Sequence, residues 1–255
     1  MEKMKKVKAL TFDLFGTILD LEGSLTPFIA KFIKSKGADI SPKMFWQQYR
    51  ARQRIEQYQD TILMLGHSGY LETSRKAFVY VLALNAIKAL QDEVKEFMAS
   101  WQELSPFEEV IPALERLKPK YKLVVLSNGE PSYLDHLVKN RLFWNFDKVF
   151  SVDSVGALKP HPGVYRRAAE VIGLETNECL MVSANSFDVM GAKSCGYRGA
   201  YVNRYKLPYE DTPYQPDLIV QNFIELADIL LEDESDFQSI DYRHQTSDLR
   251  LKKKK

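Results

Sequence analysis

The stretch Asp13-Leu14-Phe15-Gly16-Thr17 closes an apolar run, residues 7–12, and sets a carboxylate where a buried strand gives way to a Gly-Thr turn. A carboxylate so placed points into the crevice at the carboxyl edge of a sheet, where open α/β folds hold their chemistry, and there it can act as a nucleophile. An aspartate that merely caps a loop would look the same. Three later segments supply companions: Ser127-Asn128-Gly129, Leu158-Lys159-Pro160, and Ser183-Ala184-Asn185-Ser186-Phe187-Asp188. The first and last of these end strand-like runs, residues 122–126 and 179–182, and the middle one precedes a helix. A parallel sheet would gather all of them at the edge that carries Asp13. A nearby lysine favours an ionised carboxylate, and a second carboxylate, Asp188, can serve as a general base. Turn chemistry accounts for Ser, Asn and Asp at any single strand end. It does not account for four such sites in register with a lysine.

The elements that must position these residues fall into two patterns. After the first strand, residues 27–36, 42–65, 69–90 and 92–104 carry apolar side chains at helical spacing with no convincing strand between them. From residue 110 the chain alternates, with helices at 110–117, 133–139, 164–172, 189–195 and 223–231 and strands at 122–126, 148–151, 179–182, 199–202 and 218–220. This rhythm predicts an α/β fold with a parallel sheet covered on both faces. The economical architecture is one core, residues 1–21 and 105–231, interrupted after its first strand by a helical cap, residues 22–104. Residues 232–255 lose the apolar pattern and end in Lys252 to Lys255, which predicts a disordered tail.

Composition names no macromolecular partner. The 255 residues are 45% hydrophobic with a net charge of +1, a balance without the footprint of general nucleic-acid or membrane binding. No apolar stretch is long enough to span a bilayer, and the basic start lacks a signal-peptide core. Two cysteines, Cys179 and Cys195, without CxxC spacing, predict reduced thiols in a cytoplasmic protein.

Read in order, FDLFGT, LSNGEP, KPHPGVY and VSANSFD resemble the haloacid dehalogenase superfamily, and within it the 2-haloacid dehalogenases, over roughly residues 7–230. The resemblance implies a Rossmann-like core, a helical cap, an aspartyl-ester intermediate and neither metal nor other cofactor. It implies small-molecule partners, a 2-haloacid and a halide ion, and allows a homodimer. It assigns Asp13 as nucleophile, Lys159 as its cationic neighbour, and Asp188 with Asn185 as the group that activates water. Thr17 and Ser183 hold the carboxylates, and Tyr165 lies near them. Ser127 with backbone N–H groups takes the substrate carboxylate. The departing halide falls to Arg50, Asn128 and Phe187, although Arg52 and Arg54 leave the register of the cap arginine open.

Phe15 separates two chemistries. Phosphatases of the superfamily carry at that position an aspartate that protonates the leaving alkoxide. A halide leaves as a stable anion and needs only solvation, so loss of the acid disables phosphate-ester cleavage and spares dehalogenation. The same phenylalanine is expected to line the substrate site. Ser183-Ala184 replaces a Gly-Asp pair of the phosphatases, removing one expected Mg²⁺ ligand; Asp13, Asp188 and a carbonyl could still collect a weakly held ion. A slow Mg²⁺-dependent phosphatase and a catalytically silent anion-binding protein are the competing readings.

Overall fold

The computed structural model describes residues 4–63 and 67–232. The expected tail therefore lies outside the described residues, apart from Glu232, as do the last two residues, 64 and 65, of the expected second helix. The central strand β1 (Ala9–Phe12) is entirely buried. It lies between β4 (Lys122–Ser127) and β6 (Cys179–Ser183), and the sheet is completed by β5 (Lys148–Ser151), β7 (Arg198–Val202) and β8 (Leu218–Val220). The six strands run parallel in the order β5-β4-β1-β6-β7-β8. Strands covered on both faces need no polar side, which is why β1, β4 and β6 read as continuous apolar runs. The chain steps outward from β1 through β4 to β5, then returns to β6 beside β1. That reversal opens a crevice at the carboxyl ends of β1 and β6.

Helices α5 (Val110–Leu117) and α9 (Phe223–Leu231) pack on one face against Leu10 and Phe12. On the other face, α7 (Pro162–Ile172) and α8 (Ser186–Ser194) enclose Leu126, Cys179 and Met181. Helix α8 begins a turn earlier than its apolar spacing suggests, because Asn185 is the N-cap and Asp188 lies within the first turn. Helix α6 (Pro131–Leu137) likewise starts early, at a proline, and continues as a π-turn through Val138–Leu142.

Between β1 and β4 the chain forms a helical insert: α1 (Leu21–Lys36), α2 (Pro42–Ile62), α3 (Tyr70–Leu84) and α4 (Gln91–Ala99). A short antiparallel pair, β2 (Leu19–Asp20) with β3 (Ser105–Pro106), ties its entry to its exit. The apolar pattern misses this pair, since two-residue strands have no period to detect. It also misses the start of α1, which holds Pro27 in its interior. Proline usually marks the first turn, yet here the Asp20 carboxylate caps the helix six residues earlier by accepting from the Gly23 N–H at 2.9 Å. The insert is built on aromatic packing. Phe78 stacks on Phe97 with ring centres 3.9 Å apart and meets Tyr49, Phe45 and Phe32 edge-on. This cluster runs without a break into the face of the sheet that carries Leu10 and Phe12. No helix among the described residues is long and apolar enough to cross a membrane.

Phe78 is fully buried at the centre of that cluster. Phe78→Ala is expected to cost about 3–5 kcal/mol of folding stability, measured by urea unfolding followed by circular dichroism. A loss below about 1 kcal/mol would mean that the aromatic cluster does not pack as described.

Candidate active site

Asp13 is the first residue beyond β1, and its N–H still donates to the Val182 carbonyl at 3.0 Å, so the sheet itself aims the side chain. The two carboxylate oxygens are held differently. Oδ2 accepts from Thr17 Oγ1 at 2.8 Å, Asn185 Nδ2 at 2.8 Å and Ser183 Oγ at 3.3 Å. Among the described residues Oδ1 accepts only from the Lys159 ammonium, at 3.2 Å. Thr17 is oriented in turn by the Ala184 N–H, which donates to Oγ1 at 2.9 Å.

Lys159 Nζ also donates to Asp188 Oδ2 at 2.8 Å, and the Tyr165 hydroxyl donates to Asp188 Oδ1 at 2.8 Å. Lys159 and Asp188 are almost wholly shut off from solvent. Burial opposes the lysine's charge, but Asp13 and Asp188 together outweigh it and hold the ammonium above its usual range. Burial is also the main reason the Asp188 carboxyl is pushed up to about 6, with Lys159 opposing the rise and Asp13 adding to it. A carboxylate lifted in this way is a stronger base than a free one, while the ammonium keeps it ionised at neutral pH. Among the described residues no group of three or more His, Cys, Asp or Glu side chains is arranged to hold a metal ion.

The second motif braces the site. Asn128 Oδ1 accepts from the Lys159 N–H at 2.8 Å, and its Nδ2 donates to Gln57 Oε1 of α2 at 3.2 Å. Ser127 is fully buried at the end of β4, where its Oγ accepts from the Gly129 N–H at 3.3 Å. Among the described residues the N–H groups of Leu14 and Phe15 donate to no protein acceptor. Phe15 lies in an aromatic stack that joins core and insert, with its ring centre 4.0 Å from that of Tyr70 and 5.8 Å from that of Tyr133.

Helix α2 carries the cationic wall. Arg50 Nη1 donates to Gln53 Oε1 at 2.6 Å. A Cβ built on Gly16 would lie 3.7 Å from Arg50 Nη2 and 3.4 Å from the Tyr205 hydroxyl, and Gly16 adopts φ +82°. The glycine of the first motif is thus favoured by its left-handed turn, while a Cβ there would meet Arg50 and Tyr205 only at ordinary contact distance. Arg52, two residues on, turns away from the crevice to pair with Glu56 and cover the Tyr80 ring at 4.0 Å. Arg54 turns back, donating from Nη2 to Asn185 Oδ1 at 3.1 Å and lying 5.8 Å from the centre of the half-buried Phe187 ring. Phe187 also meets Tyr58 edge-on at 5.8 Å.

The structure therefore gathers Asp13, Thr17, Lys159, Tyr165, Ser183, Asn185 and Asp188 into one hydrogen-bonded cluster. Ser127, Asn128 and Phe15 line its β4 side, and Arg50 and Phe187 face it from α2 and α8. Two residues join the site beyond those assigned to it from the motifs. Arg54 shares a helix face with Arg50 because the two are four residues apart, a spacing visible in the sequence. Tyr70 gave no such signal; its buried hydroxyl lies near Gln53 and Arg50 but forms no hydrogen bond, and burial pushes it up to about 12.

A family model for haloacid dehalogenase-like hydrolases matches residues 7–196. The chain belongs to the haloacid dehalogenase-like hydrolases. It is 32% identical over 219 residues to haloacetate dehalogenase H-2 of Moraxella sp. (strain B), covering 85% of this chain and 95% of that one. It is also 32% identical over 199 residues to the (S)-2-haloacid dehalogenase of Xanthobacter autotrophicus, covering 78% and 76% of the two chains. A solved L-2-haloacid dehalogenase from Xanthobacter autotrophicus with chloropropionic acid covalently bound superimposes with a TM-score of 0.75 at 26% identity, covering 88% of this chain and 98% of that one. The α/β core with its inserted helices is thus the fold of this family's dehalogenases.

The Asp188 environment sets the expected pH dependence and the response to substitution of its neighbours. Turnover should rise with pH through an apparent value near 6, as Asp188 loses its proton. The Tyr165 hydrogen bond favours ionised Asp188, so Tyr165→Phe should move this acid limb to higher pH; a limb that stays in place would detach Tyr165 from the base. A Cβ at Gly191 would come within 2.7 Å of the Tyr165 ring and hydroxyl and 2.8 Å of Pro160 Cβ. Gly191→Ala should therefore displace both neighbours of the Lys159–Asp188 pair and lower kcat by roughly 100-fold, with the fold retained by circular dichroism.

Proposed function

We propose that this chain hydrolyses the carbon–halogen bond of short (S)-2-haloalkanoic acids, giving (R)-2-hydroxy acids through an ester on Asp13. The observation that carries the reading is the unequal holding of the Asp13 oxygens. Oδ1, with Lys159 as its single donor, is the oxygen free to attack. It attacks C2 from the side opposite the halogen, forms the C–O bond as the halide leaves with its electron pair, and inverts the carbon. Oδ2 then becomes the ester carbonyl oxygen, already surrounded by Thr17, Ser183 and Asn185. Those donors are aimed where negative charge develops when water adds to the ester carbon.

Asp188 takes the proton from that water. The tetrahedral intermediate collapses as Asp188 returns that proton to the departing alkoxide oxygen, the 2-hydroxy acid leaves, and the Asp13 carboxyl loses its proton to solvent. Ser127 and the unpaired N–H groups of Leu14 and Phe15 suit the substrate carboxylate. Arg50, Asn128 and Phe187 suit the departing halide. All four oxygens of Asp13 and Asp188 accept protein donors, which supports chemistry without a metal. Residues 22–104 act as the cap over this site. Phe15, buried in its aromatic stack, leaves no acid at the position from which a phosphatase protonates its leaving group. The names of the relatives at 32% identity support the same substrate class, and two free cysteines suit a cytoplasmic enzyme.

Halide release from (S)-2-chloropropionate in the presence of a chelator tests the reaction, and Asp13→Asn should abolish it. No release, together with Mg²⁺-dependent hydrolysis of a phosphate ester, would overturn the reading. A single turnover in H₂¹⁸O with enzyme in excess should label the peptide containing Asp13 and leave the product hydroxyl unlabelled. Label in the product would instead mean direct attack by water.

A further inference from the structure

Arg54 has no task in the reaction above. The substrate carboxylate has Ser127 and two backbone N–H groups, the halide has Arg50, and Lys159 serves both aspartates. Yet Arg54 stands at the same crevice, one helical turn beyond Arg50, with one hydrogen bond to the amide of Asn185 that itself holds Asp13. Its Nε is buried without a partner. Among the described residues neither Arg50 nor Arg54 pairs with a carboxylate, and Nη1 of Arg54 donates to no protein atom. Tyr58, Tyr201 and Tyr205 lie near Arg54, and burial raises each hydroxyl so that none carries charge at neutral pH. Glu210, close enough to Tyr58 to affect its hydroxyl, is engaged by Ser186, which donates to Oε1 at 2.6 Å. Burial works against the guanidinium's charge, and Arg50 beside it does so again. Two neighbouring cations, neither in direct contact with a carboxylate among the described residues and Arg54 partly desolvated, favour the arrival of an anion.

We propose that Arg54 recognises a second anionic group, a carboxylate on the side chain of the haloacid, so that the preferred substrates are 2-halodicarboxylates. The inference rests on the dehalogenase reading. A planar guanidinium whose Nε and Nη1 donors are unpaired is matched to a carboxylate rather than to an alkyl chain. An alkyl side chain in this place would strip water from Arg54 and return no hydrogen bond, which disfavours longer monoacids.

The test compares kcat/KM for halide release from (S)-2-chlorosuccinate and (S)-2-chlorobutanoate, which differ by a carboxylate in place of a methyl group, with (S)-2-chloropropionate as reference. The full chain should favour chlorosuccinate over chlorobutanoate by roughly 10–100-fold. Arg54→Leu should collapse that ratio, chiefly through KM for chlorosuccinate, and Arg54→Lys should keep part of it because the charge remains. A wild-type ratio near one, or a ratio unchanged in Arg54→Leu, overturns the assignment while chloropropionate turnover leaves the dehalogenase reading standing. Should neither variant fold, the wild-type ratio alone decides. No release from any of the three acids overturns the dehalogenase reading, and this inference falls with it.

Discussion

A buried ammonium between two carboxylates is the constraint on which the rest of the structure depends. Asp13 and Asp188 open into one crevice that is almost closed to water, and two such charges repel strongly in a medium that screens them poorly. Lys159 bonds to both and makes their coexistence possible. Removing any member would leave a buried charge uncompensated, which is far more costly than the net worth of the pair. The surrounding elements can be understood as the means of holding that one ammonium in place. Asn128 fixes the lysine's backbone, Tyr165 takes the remaining oxygen of Asp188, and Gly191 leaves room for Tyr165.

The helical insert contributes more than a cover. Its α2 helix reaches the core through Gln57 to Asn128 and through Thr61, whose Oγ1 accepts from the Leu158 N–H at 3.1 Å. These bonds meet the same two loops that orient Lys159. The apolar cluster continues from insert to core through Phe15 and Tyr70, so seating of the insert and order in the site are linked. Positive charge enters the site largely from this insert, from the face of α2 that carries Arg50 and Arg54. The core brings both carboxylates and a single lysine. The crevice therefore has cations of α2 on one side and the carboxylates of the core on the other.

Much of this was legible in the chain. The parallel strands announce themselves because both of their faces are buried, and β5, β8, α5 and α9 fall where the apolar pattern puts them. The short β2–β3 pair and the early start of α1 were not legible. Two-residue strands carry no period, and a proline inside a helix is read as its beginning. In the site, motif order pointed to Asp13, Lys159 and Asp188 and to Arg50, but Arg52 and Arg54 beside it left the register open. Only packing separates them, turning Arg52 toward Glu56 and Tyr80 and the other two toward the crevice.

The sequence by itself determined that Asp13 stands at a strand end and that Phe15 is no acid, because a strand end and a side-chain type are local properties of the chain. The tertiary structure decided which oxygen of Asp13 is free and where the charge of α2 is directed. It also decided that Tyr70, nearly sixty residues along the chain, stacks on Phe15. These depend on distances between segments remote in sequence, and such distances are set by how the insert seats on the sheet rather than by any local preference of the chain.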